Sequence, residues 1–222
     1  MPAHLSPIET PATTTLLTGD PRRAFALAGE LMEQPRMSHL ERGLWGYTGT
    51  TVGGMELTVQ STGSGGPAAA AVLGDLTELG VERVVRVGTC LAELDPVAAS
   101  AILVERAVCR DGTSLLLGDG DGTALPDPGL NRLLSGIASR GIVSSHDLVA
   151  RLDPTGSGPA EGAIARDLQT AAVFALSAKL GVEAAAVLVV AGDGSGIRLD
   201  EARLSGTFLE LGRNIIRRLE ET

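Results

Sequence analysis

Along the chain, short β-branched or Ala-rich runs alternate with longer segments whose apolar residues recur at helical spacing. Thr14 to Thr18 reads as a short strand, closed by Gly19-Asp20-Pro21. Phe25, Ala28, Leu31 and Met32 then fall on one face of a helix from Arg22 to Met32. The stretch GYTGTTVGGMELTVQSTG, residues 46–63, predicts two strands around Gly53-Gly54, a hairpin signal. Gly63-Ser64-Gly65-Gly66-Pro67 opens an Ala-rich helix that runs to Leu79 and is ended by Gly80. Beyond it the pattern predicts strands at 83–88 and 101–109, a Gly/Asp-rich loop from Asp111 to Asp127, a helix near 128–139 and a strand near 141–145. A Gly/Pro loop at 153–160, a long helix from about 161 to 180, a strand at 183–191 and a helix from about 200 to 220 complete the order. Strands alternating with helices imply an α/β protein whose largely parallel or mixed sheet is covered on both faces. No internal repeat or linker divides the 222 residues, so the chain reads as one domain, with Pro- and Thr-rich residues 1–13 as an N-terminal arm.

Composition narrows the classes. Hydrophobic residues at 44% and charged residues at 20% exclude a disordered chain. A formal net charge of -9 argues against a nucleic-acid backbone as partner. Cys90 and Cys109 give neither a disulfide framework nor a metal spacing, which points to a reducing compartment. With no signal peptide and no run of 18 apolar residues, a cytoplasmic protein without membrane partners is expected. The GDGDGT stretch, 118–123, resembles a calcium-loop fragment but lacks the alternating ligands and terminal Glu, so no metal is expected there. Aromatic residues are only Phe25, Trp45, Tyr47, Phe174 and Phe208, so few rings are available to stack on a planar ligand.

Candidate chemistry begins with an anomaly. Arg86 interrupts Val84-Val85-Arg86-Val87 and is followed at once by Gly88-Thr89-Cys90. Burying a guanidinium in a strand is unfavourable unless an anion or carboxylate meets it. Two readings follow: an edge strand with a solvated arginine, or an anion site at the carboxyl end of a strand. Three Gly-containing loops, at 19–21, 63–66 and 88–89, fall at strand ends, where α/β sheets collect ligands. Arg23 and Arg86 add planar guanidinium groups that suit a phosphate.

Taken together, GDPRRA, HLERGLWGYTG, STGSGGP and RVGTC resemble the nucleoside phosphorylase family that includes bacterial hexameric purine nucleoside phosphorylases and uridine phosphorylases. The resemblance runs from about residue 4 to residue 110 and is looser beyond. It implies a three-layer αβα sandwich with a mixed central sheet. The implied activity is cleavage of a nucleoside by inorganic phosphate, a co-substrate, to free base and (deoxy)ribose 1-phosphate, with no cofactor. It further implies a homo-oligomer built from dimers, most commonly a hexamer, with sites shared across each dimer. Gly19, Arg23, Arg86 and Thr89 match the family's phosphate-binding positions. Arg42 matches the arginine lent to a neighbour's phosphate, and His4 the histidine lent to a neighbour's ribose 5′-hydroxyl; read alone, His4 is equally a tail residue. Asp193 aligns with the acid that protonates the departing base if one residue is inserted; otherwise it is a turn residue in a Gly-rich loop.

Other positions depart from the family. Where it carries Glu-Met-Glu at the start of the long helix, this chain has Asp167-Leu168-Gln169, a candidate nucleoside-binding triplet. Gln169 keeps an acceptor oxygen for a ribose hydroxyl but not the charge that favours an oxocarbenium ion. Ser145-His146-Asp147-Leu148-Val149-Ala150 lacks the expected aromatic pair, with His146 either filling that space or serving as a polar loop residue. The segment RLDPTGSGPAEGA, 151–163, lacks the Gln and Arg that read uracil in uridine phosphorylases, and Leu91 stands where Gly is usual. Three readings result. The first is a phosphorylase with altered base or sugar specificity. The second, a nucleosidase, is disfavoured because those relatives do without the arginines. The third is a weakened homologue that binds nucleoside or phosphate or partners an oligomer.

Overall fold

A computed structural model of the protein describes residues 4–93, 101–118, 122–153, 160, 162–193 and 199–221. In its first part the chain forms β1 (Thr14–Thr18), α1 (Pro21–Leu31), β2 (Met32–His39), β3 (Gly46–Thr51), β4 (Glu56–Ser61), α2 (Gly66–Glu78) and β5 (Arg83–Ala92). It continues with β6 (Ala101–Arg110), α3 (Gly112–Leu117), β7 (Thr123–Ala124), α4 (Pro128–Leu133) and β8 (Ser139–His146). The last part comprises β9 (Ala163–Asp167), α5 (Thr170–Leu180), β10 (Glu183–Asp193) and α6 (Glu201–Glu220).

The strands form a mixed sheet in the order β10-β6-β8-β9-β5-β1-β4-β3-β2, and β10 also pairs with β5. That extra pairing closes β5, β10, β6, β8 and β9 into a ring, from which β1, β4, β3 and β2 extend as an open wing. Parallel pairs surround β5 and β1, whereas β2–β3 and β3–β4 are antiparallel. Apolar side chains fill both sides. Leu73, Leu76 and Phe174 pack in one core with α2 and α5, while Leu27, Leu134, Phe208 and Ile215 pack in the other with α1, α4 and α6. The three-layer α/β arrangement is therefore the one expected.

Several elements differ from the sequence reading, each for a physical reason. β2 was not foreseen: it is an outermost strand with a mostly polar pattern, and Gln34 at φ 47° accompanies a register shift between Glu33 and Arg36. On such an edge strand alternation is weak because solvent accepts either face. The expected long helix from 161 is instead strand β9 followed by α5, since Ala163, Ala165 and Arg166 lie between β5 and β8. An Ala-rich run carries no period by which a buried strand and a helix differ. Within the presumed 111–127 loop, Asp111 caps α3 by accepting from the Ser114 N–H at 2.8 Å. Residues 119–121 of the GDGDGT stretch and most of the 153–160 loop lie outside the described residues.

The N-terminal arm is packed rather than loose where it is described. Asp75 Oδ2 accepts from the His4 and Leu5 N–H groups at 2.5 and 2.7 Å, and Leu5 is buried. The edge-strand reading of Arg86 is overturned, because β5 is flanked by β1 and β10.

Candidate functional site

Strands β5, β1 and β4 are neighbours and run parallel, so the loops after β1 and β4 and the exposed end of β5 meet on one side of the sheet. There they enclose a cavity of about 260 Å³ bordered by Gly19, Arg23, Gly63 to Gly65, Arg86 and Gly88-Thr89. Four of the residues matched to phosphate binding, Gly19, Arg23, Arg86 and Thr89, are thus brought to one cavity. Glycine is needed for the close approach. A Cβ on Gly88 would sit 2.8 Å from the Arg86 guanidinium, and Gly63 and Gly65 have φ of 73° and 87°.

The Arg86 side chain is 5% exposed, and each of its three nitrogens has a partner in the chain itself. Its Nη2 donates to Asp167 Oδ2 at 2.9 Å, its Nη1 to Gln169 Oε1 at 2.7 Å and its Nε to Thr170 Oγ1 at 3.2 Å. Asp167 ends β9 and its carboxylate also accepts from the Thr170 N–H and hydroxyl and from Ser145 Oγ. A carboxylate thereby caps the start of α5, where the exposed N–H groups and dipole favour negative charge. A carboxylate, then, makes an arginine tolerable in the middle of this strand. Gln169 extends the network: its Nε2 donates to the Gly63 and Gly65 carbonyls at 2.8 and 3.1 Å, and its Oε1 also accepts from Thr62 Oγ1 at 3.3 Å. Both halves of the amide are occupied, tying the glycine loop to Arg86. Leu168 lines the cavity between them.

Arg23 is placed from the other side. Asp20 accepts from the Arg22 N–H at 2.8 Å and starts α1, and the Arg23 guanidinium lies 5.2 Å from the Phe208 ring centroid on α6. One of the few aromatic faces thus holds an arginine.

The cavity is also bordered by the apolar Leu91, Leu148, Val149, Ala150 and Ala191. Leu91 does border the cavity, as its position in RVGTCL predicts. His146 is not among the described lining residues; its Nε2 lies 2.9 Å from Ser144 Oγ. Burial, and next the charge of Arg166, hold its imidazole below the ordinary value, with Glu93 and Asp153 opposing. Cys90 also borders the cavity, but burial pushes its thiol far up, which makes it a poor nucleophile.

Three expected site residues are not among the described residues lining this cavity. Arg42 stands exposed on a 3-10 turn at Glu41–Gly43 with φ 56°, and His4 is beside Asp75, Nδ1 to Oδ2 at 3.9 Å. Asp193 ends β10 opposite Ala92, two residues beyond Ala191 at the cavity rim. Residues 194–198 of its loop lie outside the described residues.

The charged cavity residue that sequence reasoning missed is Arg166. Arg166 borders the cavity; its side chain is 9% exposed, and its Nε donates to Glu93 Oε1 at 2.5 Å. The signal was available: Arg166 interrupts Ala163-Ile164-Ala165 as Arg86 interrupts its valines.

An α/β protein with glycine loops and arginines converging at parallel strand ends has the build of an anion-binding enzyme of small substrates. Residues 13–217 match the model of the Phosphorylase superfamily, and the chain belongs to that superfamily. Among curated relatives, a purine nucleoside phosphorylase DeoD-type from Bacillus cereus (strain B4264) is 30% identical over 197 residues, 81% of each chain. Proteins of the same name from Alkaliphilus metalliredigens (strain QYMF) and Xenorhabdus nematophila are each 28% identical over 191 residues, 81% of this chain and 82% and 80% of theirs.

Proposed function

We propose that the protein is a pentosyltransferase that cleaves the N-glycosidic bond of a nucleoside with inorganic phosphate. The observation that carries this reading is the convergence of Gly19, Arg23, Arg86 and Thr89 with Leu168 and Gln169 around one cavity. A phosphate oxygen attacks the anomeric carbon, the C–N bond breaks with its electron pair passing to the base, and the sugar leaves as its 1-phosphate. Arg23, the Gly63–Gly65 loop and the Thr89 end hold the nucleophile in line, and cationic charge there offsets that of the phosphate. Asp193, two residues past the rim, is the proposed acid for the departing base. Arg42 and His4 are assigned to the site of a neighbouring copy in a dimer-based oligomer, a hexamer by family resemblance. That neither is among the described residues lining the cavity supports that role. Altered base specificity is part of the reading, because no aromatic residue is among the described residues lining the cavity.

A panel of purine and pyrimidine nucleosides, incubated with and without phosphate and read for free base and sugar 1-phosphate, tests it. Base release that requires phosphate supports it; release with water alone makes the protein a nucleosidase. The occupied Gln169 amide favours a second reading, a weakened homologue that binds nucleoside without turning it over. Calorimetric binding without product on any nucleoside would establish that alternative.

A further inference from the structure

Gln169 stands where three parts of the site meet. Its amide reaches Gly63 and Gly65 in the loop after β4 and Arg86 on β5. Through Thr62 it also reaches the end of β1, since the Thr62 hydroxyl lies 3.3 Å from Gln169 Oε1 and 3.2 Å from the Thr18 carbonyl oxygen. A Cβ on Gly19 would come within 3.3 Å of the Gly63 oxygen and 3.7 Å of Gln169 Oε1, so the loop after β1 passes close to the amide as well.

The residue is 3% exposed, and its partners fix which way the amide is turned. Reversed, its nitrogen would face the Arg86 guanidinium and its oxygen two carbonyls, donor against donor and acceptor against acceptor. In the orientation present, both Nε2 hydrogens are committed to glycine carbonyls, while Oε1 accepts from Arg86 Nη1 at 2.7 Å with the Thr62 hydroxyl beside it. A sugar hydroxyl reaches this amide only by displacing a buried hydrogen bond, which leaves a protein group unpaired.

The loop it holds is costly to fix. Gly63 and Gly65 have φ of 73° and 87°, and glycine loses more conformational freedom than any other residue when its backbone is set. Two hydrogen bonds from one buried side chain help to offset that loss in the folded protein. An anion that meets an ordered loop then binds without the ordering cost.

We infer that Gln169 is a positioning residue for phosphate and not a reader of the sugar: it sets the Gly63–Gly65 loop against Arg86 and leaves the 2′-position of the nucleoside unread. This rests on the phosphorolysis reading, which gives the loop to phosphate. It runs against the expectation from sequence, in which Gln169 keeps an acceptor for a ribose hydroxyl.

Gln169→Met keeps the length of the side chain and removes the amide. Phosphate affinity by calorimetry should fall about tenfold, roughly what one or two neutral hydrogen bonds supply, and KM for phosphate should rise in step wherever turnover is seen. Affinities for adenosine against 2′-deoxyadenosine, and uridine against 2′-deoxyuridine, should keep their parental ratios within about twofold. Phosphate affinity retained in the variant, even beside lower stability in urea, makes Gln169 a structural residue only and overturns the inference. A ribo preference in the parent that the variant loses also overturns it. Either result leaves phosphorolysis standing, whereas a parent that binds no phosphate and releases no base with it overturns both. Circular dichroism checks the fold; if Gln169→Met is unfolded, Gln169→Asn, one methylene too short to join Arg86 to the loop, takes its place with the same expected loss. Should neither fold, the parent decides: ribo and 2′-deoxy members bound within about threefold, less than one hydrogen bond's difference, support the inference, and a larger ribo preference overturns it.

Discussion

Gln169 is the residue on which sequence and structure give the most different expectations. As a replacement for a family Glu it reads as a lost charge, to be restored by Gln169→Glu. In place, its Nε2 donates to two glycine carbonyls and its Oε1 accepts from Arg86. A carboxylate there would face the Gly63 and Gly65 oxygens with no proton to offer. Gln169→Glu is therefore expected to lower stability by about 1–3 kcal/mol, the penalty for unsatisfied buried acceptors, as measured by urea denaturation. His146 gives a second prediction. Its folded pKa is depressed, so above the ordinary 6.5 both folded and unfolded imidazoles are neutral and stability is unaffected. As pH falls below 6.5 the unfolded ring takes up a proton that the folded ring resists, and stability falls until the folded pKa is reached. His146→Gln should flatten that part of the stability profile relative to the parent; an unchanged slope would assign it to other groups. The anomaly at Arg86 was legible in its neighbours. Its partner was not, since Asp167 lies 81 residues away and only the β9 register brings the two together.

At the scale of elements, strong periodicity and turn chemistry identified most of the fold. β1, the β3–β4 hairpin, α2 and α6 fall where apolar spacing, glycine pairs and a Gly-Pro helix start predict. β2 and β9 escaped because an edge strand needs little hydrophobic alternation and a buried Ala-rich strand shows none. The junction of β9 with α5 is where the missed strand matters, because it delivers Asp167 to the helix start. Gln169, the residue before α5, makes no side-chain cap of its own. Asp167→Asn should accordingly free the first turn of α5 as well as leave Arg86 without its counter-charge. A loss of about 3 kcal/mol or more is expected, together with faster amide exchange at Ala171 and Ala172 than at Phe174. Uniform exchange across α5 would show that the carboxylate serves Arg86 alone.

For the whole molecule, the proposed phosphate site would link ligand to fold, since loops from β1 and β4 and the body of β5 each border the cavity. Phosphate at a hundredfold excess over its Kd should raise unfolding free energy by about 2.7 kcal/mol. Scanning calorimetry should show the corresponding rise in melting temperature, and Arg23→Met should reduce it. A melting temperature indifferent to phosphate would remove the anion site. The two thiols offer a way to time the molecule's fluctuations. Cys90 and Cys109 are both buried and not joined in a disulfide, one at the cavity and one on β6. A thiol reagent such as dithionitrobenzoate reaches them only in transiently opened forms, so the two release rates report two local opening equilibria. Saturating phosphate should slow the Cys90 phase more than the Cys109 phase, turning a buried, chemically quiet sulfur into a clock for occupancy of the site beside it.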